Sequence, residues 1–236
     1  MAAPLRRPRP QRCLRLRSHR TGRATARAYL LGTPAGSFDD PIVADWASVD
    51  DFCRPVNLPA MAVDSLARLR AGIRDVPNFP KHGIVFKDIT PILVDAQLFR
   101  ESIEVFLERC RTLPIDKVVG IDARGFLFGS AVAYALGVGF VPIRKKGKLP
   151  FKTASAAYSL EYGDAEMEMH VDSIEPGERI VLIDDLLATG GTSAAAAALI
   201  EKVGGELLEA QFLIELEFLR GREKLGTTPV ITFLKF

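Results

Sequence analysis

The sequence is poor in the residues that build metal centres and disulfide frameworks. Among 236 residues there are only three cysteines and three histidines. Cys13, Cys53 and Cys110 are scattered and odd in number, which predicts no disulfide framework and a reducing compartment. The histidines lie far apart in the sequence and show no metal-ligand spacing, so a histidine–cysteine zinc site is not predicted.

Long apolar runs are also missing. A membrane-spanning helix needs about 18 or more consecutive apolar residues, and no stretch of the chain reaches that length. Hydrophobic residues make up 48% of the chain and charged residues 25%, which is typical of globular proteins. The length allows one domain plus an extension.

Acidic residues are absent from the first 38 positions. That segment contains nine arginines and no lysine, whereas the rest of the chain carries 22 basic and 29 acidic groups. Residues 1–60 have no apolar periodicity long enough to bury a core, so we expect a disordered extension. Three interpretations remain open: an organelle transit peptide, a basic arm that binds nucleic acid, or a start codon wrongly assigned upstream of Met61. Residues 61–236 are predicted to form the working domain.

This body of the chain alternates strand-like and helix-like apolar patterns. Such alternation predicts an α/β fold with a doubly wound, mainly parallel sheet flanked by helices. Strands are predicted over residues 117–121, 140–143, 167–171, 180–183, 206–216 and 230–234. Helices are predicted over residues 66–73, over 96–110 with Asp95 as its cap, over 125–136, and from about residue 192 to 203.

The most informative segment is residues 180–192, IVLIDDLLATGGT. Four consecutive apolar residues predict a central strand that is covered on both faces. Asp184 and Asp185 follow at its carboxyl end, where carboxylates are costly to bury unless they bind something. The small-residue loop from Ala188 to Thr192 exposes backbone N–H groups ahead of a helix, an arrangement that favours anions.

Two common phosphate-binding patterns do not fit this segment. It lacks the Gly-Lys-Ser/Thr of a Walker loop and the Gly-x-Gly-x-x-Gly of a dinucleotide site. Thr192 or Ser193 is predicted to cap the helix that follows. A buried strand followed by an ordinary capped helix is the plain structural alternative. Hydroxyl acceptors beside a phosphate cradle favour a phosphorylated sugar, bound where parallel strands end.

The same thirteen residues resemble the phosphoribosyl-pyrophosphate (PRPP) signature of the type I phosphoribosyltransferases. The resemblance implies that Asp184 and Asp185 hold the ribose 2- and 3-hydroxyls. It also implies that the 5-phosphate is bound by Ala188, Thr189, Gly190, Gly191 and Thr192.

Four further segments extend the resemblance to the adenine phosphoribosyltransferases. They are FPKHGIVFKDITP at 79–91, VVGIDARGFLFG at 118–129, IRKKGKLP at 143–150 and YSLEYG at 158–163. The resemblance runs from about Val63 to the carboxyl terminus. It implies a cytoplasmic, homodimeric purine-salvage enzyme that converts adenine and Mg²⁺-PRPP to AMP and pyrophosphate. A PRPP-binding regulator without catalysis, and an enzyme for another purine, are the alternatives.

The resemblance also implies roles for single residues. Glu161 would exchange a proton with the purine from a mobile lid over residues 149–162. The implied fold also has a small hood. Arg124 would assist catalysis. Pyrophosphate would be bound by Asp122, Ala123, Arg124, Arg144, Lys145, Lys148 and Tyr162, and adenine by Val85, Phe86, Lys87 and Leu186. Magnesium would be held mainly by PRPP rather than by the protein.

Several of these residues have plainer interpretations. The basic run at 144–148 also fits a solvated loop, because charge runs are usually exposed faces. Phe86 also fits an ordinary core aromatic, Glu161 a surface glutamate, and Tyr162 a packing residue.

Overall fold

The computed structural model describes residues 63–160 and 163–236. The predictions for residues 1–60, for Met61 as the start, and for Glu161 and Tyr162 lie outside the described residues. Within the described part, no helix combines the length and the apolar character that crossing a membrane requires.

Five helices and nine strands follow one another along the described residues. The helices are α1 (Val63–Gly72), α2 (Thr90–Val94), α3 (Ala96–Cys110), α4 (Arg124–Leu136) and α5 (Gly191–Lys202). The strands are β1 (Arg74–Pro77), β2 (Val85–Asp88), β3 (Lys117–Ile121), β4 (Gly139–Lys145), β5 (Thr153–Leu160), β6 (Gly163–His170), β7 (Arg179–Leu187), β8 (Glu206–Glu215) and β9 (Val230–Lys235). Two 3₁₀ turns, Glu217–Leu219 and Gly221–Leu225, separate β8 from β9.

Seven of these strands form one sheet, in the order β5-β6-β4-β3-β7-β8-β9. Five neighbouring strands, β4, β3, β7, β8 and β9, are mutually parallel. Beyond β4 the sheet continues with β6 and β5, which are antiparallel to their neighbours. The predicted mainly parallel sheet is confirmed. A separate two-stranded sheet pairs β1 with β2.

Alternate residues of the central strands face two different cores. Val118 of β3 and Val181 of β7 pack with Phe106 of α3 and Phe128 of α4 on one face. The next residue along each strand packs on the other face against α5, with Leu199 at its centre. Both faces are covered because each strand is apolar at consecutive positions, as expected for parallel strands between helix layers.

Local signals explain where the helices begin and end. The Asp95 carboxylate accepts hydrogen bonds from the backbone N–H groups of Gln97 and Leu98, both at 2.9 Å, and so caps α3 as predicted. Gly137 adopts φ 71° and ends α4, also as predicted.

The sequence-based prediction was incomplete between β4 and β7. Residues 149–162 are assigned from the sequence to a mobile lid and no strand is predicted there, but Thr153–Leu160 form β5, which pairs antiparallel with β6. The strand was missed because Ala, Ser and Thr alternate weakly there and give little period-two contrast.

Candidate active site

The site lies where the chain reverses its direction of travel across the sheet. β3 pairs with β4 on one side and with β7 on the other, so β3 and β7 flank the topological switch point. The register between them runs only from Lys117–Ile180 to Gly120–Ile183. Beyond that point the carboxyl ends of the two strands border a cavity of about 280 Å³.

Most of the predicted site residues line this cavity. They are Asp122, Ala123, Arg124, Lys145, Asp184, Asp185, Leu186, Ala188, Thr189, Gly190 and Thr192. Residues about sixty positions apart in the sequence therefore share one cavity. Ile121 and Ser193 line it too; neither was predicted to bind a ligand.

The two carboxylates at the end of β7 are set close together and largely out of water. Asp185 is only 3% exposed, and its backbone N–H donates to Asp184 Oδ1 at 2.9 Å. Burial, reinforced by the neighbouring Asp185 charge, raises the pKa of Asp184 well above its ordinary value. Burial likewise raises the pKa of Asp185, although the Arg124 charge opposes this shift. Without a ligand, the pair is therefore an electrostatically expensive arrangement.

Arg124 links the acid pair to the neighbouring hairpin. Its Nε lies 3.1 Å from Asp185 Oδ2, yet that buried oxygen has no hydrogen-bond partner of suitable geometry. Its guanidinium carbon also lies 5.6 Å from the centroid of the Phe86 ring. Arg124 is the first residue of α4 and directly follows the Asp122–Ala123 peptide bond, which is cis.

Gly125 allows α4 to approach β7 closely. A Cβ atom at this position would stand 2.8 Å from Asp184 Oδ1 and 2.9 Å from the Ile183 carbonyl oxygen. Only glycine fits without displacing the first acid of the pair. The sequence alone gave no indication of this contact.

The small-residue loop from Ala188 to Thr192 contains the glycine cap of α5. Gly190 is the N-cap of α5, adopts φ 77°, and makes no side-chain cap hydrogen bond. The prediction that Thr192 or Ser193 caps the helix was therefore wrong. The chain enters the helix earlier because Gly190 can adopt the left-handed conformation, which leaves Thr192 and Ser193 beside the cavity.

Other predicted residues lie just outside the cavity lining. Arg144 Nε donates to Asp122 Oδ2 at 2.9 Å, so it contacts the site through Asp122. The backbone N–H of Lys148 donates to the buried Glu168 at 3.0 Å. The described residues that line the cavity do not include Arg144, Lys148 or Gly191.

The residues predicted for adenine come from two places. Leu186 lines the cavity itself, whereas Val85, Phe86 and Lys87 form most of β2. The Lys87 ammonium pairs with Asp75 at 2.7 Å and lies 4.3 Å from the Phe236 ring centroid. The Lys87 side chain therefore contacts the β1–β2 hairpin and Phe236 rather than the cavity.

Residues 93–224 match the family model of the phosphoribosyl transferase domain. The chain belongs to this family. The match covers more than half of the chain and contains every residue that lines the cavity.

Individual relatives agree with the family model. An adenine phosphoribosyltransferase from Desulfosudis oleivorans is 54% identical over 168 residues, which are 71% of this chain and 97% of the relative. The crystal structure of adenine phosphoribosyltransferase from Thermoanaerobacter pseudethanolicus superposes with a TM-score of 0.71 at 50% identity, covering 72% of this chain and 99% of that one. The enzyme from Saccharomyces cerevisiae, complexed with an imino-altritol bisphosphate and adenine, gives a TM-score of 0.70 at 43% identity, covering 73% and 99%.

Proposed function

We propose that the chain transfers the 5-phosphoribosyl group of PRPP to adenine, giving AMP and pyrophosphate in purine salvage. One observation carries the proposal: the Asp184–Asp185 pair, the Ala188–Thr192 loop and the Asp122–Arg124 turn border a single cavity. PRPP needs partners for hydroxyls, for a monophosphate and for a diphosphate, and the three segments offer these side by side.

The acid pair and the loop suit the two ends of the ribose phosphate. Carboxylates accept hydrogen bonds from the ribose hydroxyls, and the unpartnered Oδ2 of Asp185 is available for one. The N-terminus of α5, with its glycine-rich approach, offers backbone N–H groups to the 5-phosphate. Such binding would fix the anomeric carbon between these two anchors.

The bond changes then occur at the anomeric carbon. Its bond to pyrophosphate breaks with the electron pair leaving on oxygen, and a ring nitrogen of adenine forms the new bond. The carbon is oxocarbenium-like in between, as in glycoside chemistry. We propose that Arg124 and Lys145 stabilise the leaving pyrophosphate, because both line the cavity and both are cationic.

We propose indirect roles in pyrophosphate binding for three further residues, Arg144, Lys148 and Tyr162. Arg144 would orient the Asp122 carboxylate that it contacts. Lys148 would add positive charge from the segment that follows β4. Tyr162 would meet the leaving group from the proposed lid, together with Glu161, which would take the proton that adenine releases.

The proposed adenine pocket combines stacking with backbone recognition. Phe86 and Leu186 would sandwich the ring, and backbone groups of Val85 to Lys87 would read its edge. Adenine donates a hydrogen bond from its exocyclic amine where hypoxanthine accepts one. A fixed carbonyl therefore disfavours hypoxanthine, which would leave polar groups unpaired.

Magnesium fits the donor set of the cavity. Asp122, Asp184 and Asp185 supply hard oxygen atoms, and among the described residues no three His, Cys, Asp or Glu side chains cluster as metal ligands. We propose that the ion would be held mainly by the phosphates of PRPP, with no ligand required directly from the protein. Its chemistry would be to neutralise the charge that develops on pyrophosphate.

We further propose a cytoplasmic homodimer whose working domain is residues 61–236. The relatives support the boundary, because their matched regions cover about 70% of this chain but nearly all of each relative. A reducing compartment agrees with the free, buried thiol of Cys110. A chain that begins at Met61 should keep full activity if residues 1–60 are a transit peptide or an untranslated prefix.

The test is nucleotide formation by the full-length chain. Incubation with PRPP and Mg²⁺ should give AMP from adenine, with hypoxanthine, guanine and xanthine as competing bases. The Asp184→Asn/Asp185→Asn variant should lose PRPP use, whereas Asp172→Asn on an exposed turn should not. A wild-type chain that binds PRPP but forms no nucleotide would favour the regulator instead.

A further inference from the structure

The phosphate loop rests on a second glycine from a distant part of the chain. A Cβ atom on Gly190 would come within 2.9 Å of the Gly221 Cα. A Cβ atom on Gly221 would in turn stand 2.8 Å from the Gly190 nitrogen and 3.0 Å from the Ala188 carbonyl carbon. The two backbones are therefore in direct contact, and no larger residue fits at either position.

An ion pair fixes the segment that carries Gly221. The neighbouring Arg222 binds Glu215 through two parallel hydrogen bonds, Nε to Oε1 at 3.1 Å and Nη2 to Oε2 at 2.7 Å. Arg222 Nη1 also donates to the Val230 carbonyl oxygen at 2.9 Å, and Thr232 Oγ1 donates to Glu215 Oε2 at 2.8 Å. Glu215 is only 4% exposed, and the Arg222 hydrogen bond lowers its pKa. Two parallel hydrogen bonds of this kind fix both the position and the orientation of the Arg222 guanidinium.

The Glu215–Arg222 pair lies beside the start of the phosphate loop, residues Ala188–Thr192. Glu215 is the register partner of Leu187, the residue immediately before Ala188. The backbone N–H of Leu216 donates to the Leu187 carbonyl oxygen at 2.9 Å. On the far side, Leu225 packs with Ala195 and Leu199 of α5. The turn is thus tied to both ends of the loop that it touches.

We propose that Glu215 and Arg222 are positioning residues for the 5-phosphate, acting through Gly221 on the Ala188–Gly190 backbone. They touch no substrate. Their effect is to hold the loop N–H groups in the geometry that phosphate requires, since small displacements of binding groups are costly. The proposal rests on the proposed function, because it names the group that this loop would bind.

The same strand provides a matched control. Glu209, 1% exposed, binds Arg109 of α3 through Nε at 2.9 Å and Nη2 at 2.5 Å. Its register partner is Val181, near the start of β7 and far from the loop. Both arginine side chains are about two-fifths exposed. Loss of either pair should cost similar stability, but only the Glu215 pair adjoins the phosphate loop.

The experiment compares Glu215→Gln with Glu209→Gln in the full-length chain. Steady-state constants for PRPP and adenine are measured beside calorimetric affinity for ribose 5-phosphate and the denaturation midpoint. For Glu215→Gln we expect the KM for PRPP and the Kd for ribose 5-phosphate to rise about fivefold to tenfold, with the KM for adenine unchanged. Glu209→Gln should lower the midpoint similarly and leave all three constants unchanged.

The arginine gives a second, independent arm. Arg222→Met should reproduce the Glu215→Gln effect, and Arg222→Lys should recover part of it, because lysine keeps the charge but not the two parallel hydrogen bonds. Equal ribose 5-phosphate affinity in wild type, Glu215→Gln and Arg222→Met would overturn the positioning role. So would equal weakening in Glu209→Gln. Failure of the proposed function is a separate outcome, recognised by a wild-type chain that forms no AMP.

Discussion

The Arg124 side chain reaches across the switch point to Asp185, with Nε 3.1 Å from Oδ2. The two residues belong to different halves of the proposed site, Arg124 to the pyrophosphate turn and Asp185 to the ribose pair. The arginine charge opposes the burial that raises the pKa of Asp185. In the ligand-free protein, the cationic group proposed to stabilise the leaving group thus also offsets part of the cost of burying Asp185.

Replacement of Arg124 by lysine should lower kcat/KM for PRPP by about 10²-fold, because lysine keeps the charge but cannot present a planar fork to phosphate oxygens. The measurement is steady-state kinetics with PRPP varied. Arg111→Lys, on the exposed end of α3, is the control and should behave as wild type. Equal kcat/KM in the Arg124 and Arg111 variants would remove Arg124 from the chemistry.

Asp184→Asn should make the ligand-free protein more stable while it abolishes PRPP use. The amide keeps the oxygen that accepts from the Asp185 N–H but cannot ionise beside the neighbouring Asp185 charge, which is part of what raises the pKa of Asp184. We expect the free energy of unfolding at pH 7 to rise by about 1–2 kcal/mol. Chemical denaturation without ligand measures it. A loss of stability would show that the acid pair is better compensated than its burial indicates.

The acid pair should also give the ligand-free protein a characteristic pH dependence. Folding raises both pKa values, so above the ordinary value of about 3.9 the folded state holds protons that the unfolded state has released. Stability from this source is present at low pH and is lost as pH rises through the raised pKa values. Denaturation curves from pH 4.5 to 8 should show this slope in wild type, and the difference between wild type and Asp184→Asn/Asp185→Asn isolates it. Parallel curves would contradict the prediction.

Gly125→Ala should destabilise the fold by about 1–3 kcal/mol and disable the site. The added methyl group would press on Asp184 Oδ1 and on the Ile183 carbonyl oxygen. Gly139→Ala is the matched control, because its Cβ would meet only the flexible Lys117 side chain, at 3.3 Å or more. Thermal denaturation and PRPP affinity are the two measurements. A Gly125 variant as stable and as tight-binding as the Gly139 variant would refute the close-packing argument.

Much of the site could be predicted because its signals are local in the sequence. The strand, the acid pair and the loop of residues 180–192 are contiguous, and parallel topology then brings Asp122–Arg124 to the same edge. Helix α3 could be predicted for the same reason, because the Asp95 cap and the apolar stripe of the helix are both local sequence signals.

The parts that escaped prediction depend on contacts between distant residues. Gly190 replaced Thr192 or Ser193 as the cap of α5, and its backbone contact with Gly221 joins positions thirty-one residues apart. Lys87 pairs with Asp75 only because β1 and β2 form a hairpin. Composition and periodicity carry no information on such pairings, which are set by tertiary packing.

The early end of the β3–β7 ladder has a mechanical consequence. Pairing stops at Gly120 and Ile183, yet β7 stays paired with β8 as far as Leu187 and Glu215. The two strands therefore separate beyond this point. The Asp122–Arg124 turn follows β3 on one side of the gap, and the Asp184–Thr192 segment lies on the other side. A ligand bound to both segments would connect them where the inter-strand hydrogen bonds are missing. Backbone amides of these two segments should therefore exchange with solvent more slowly when the ligand is bound.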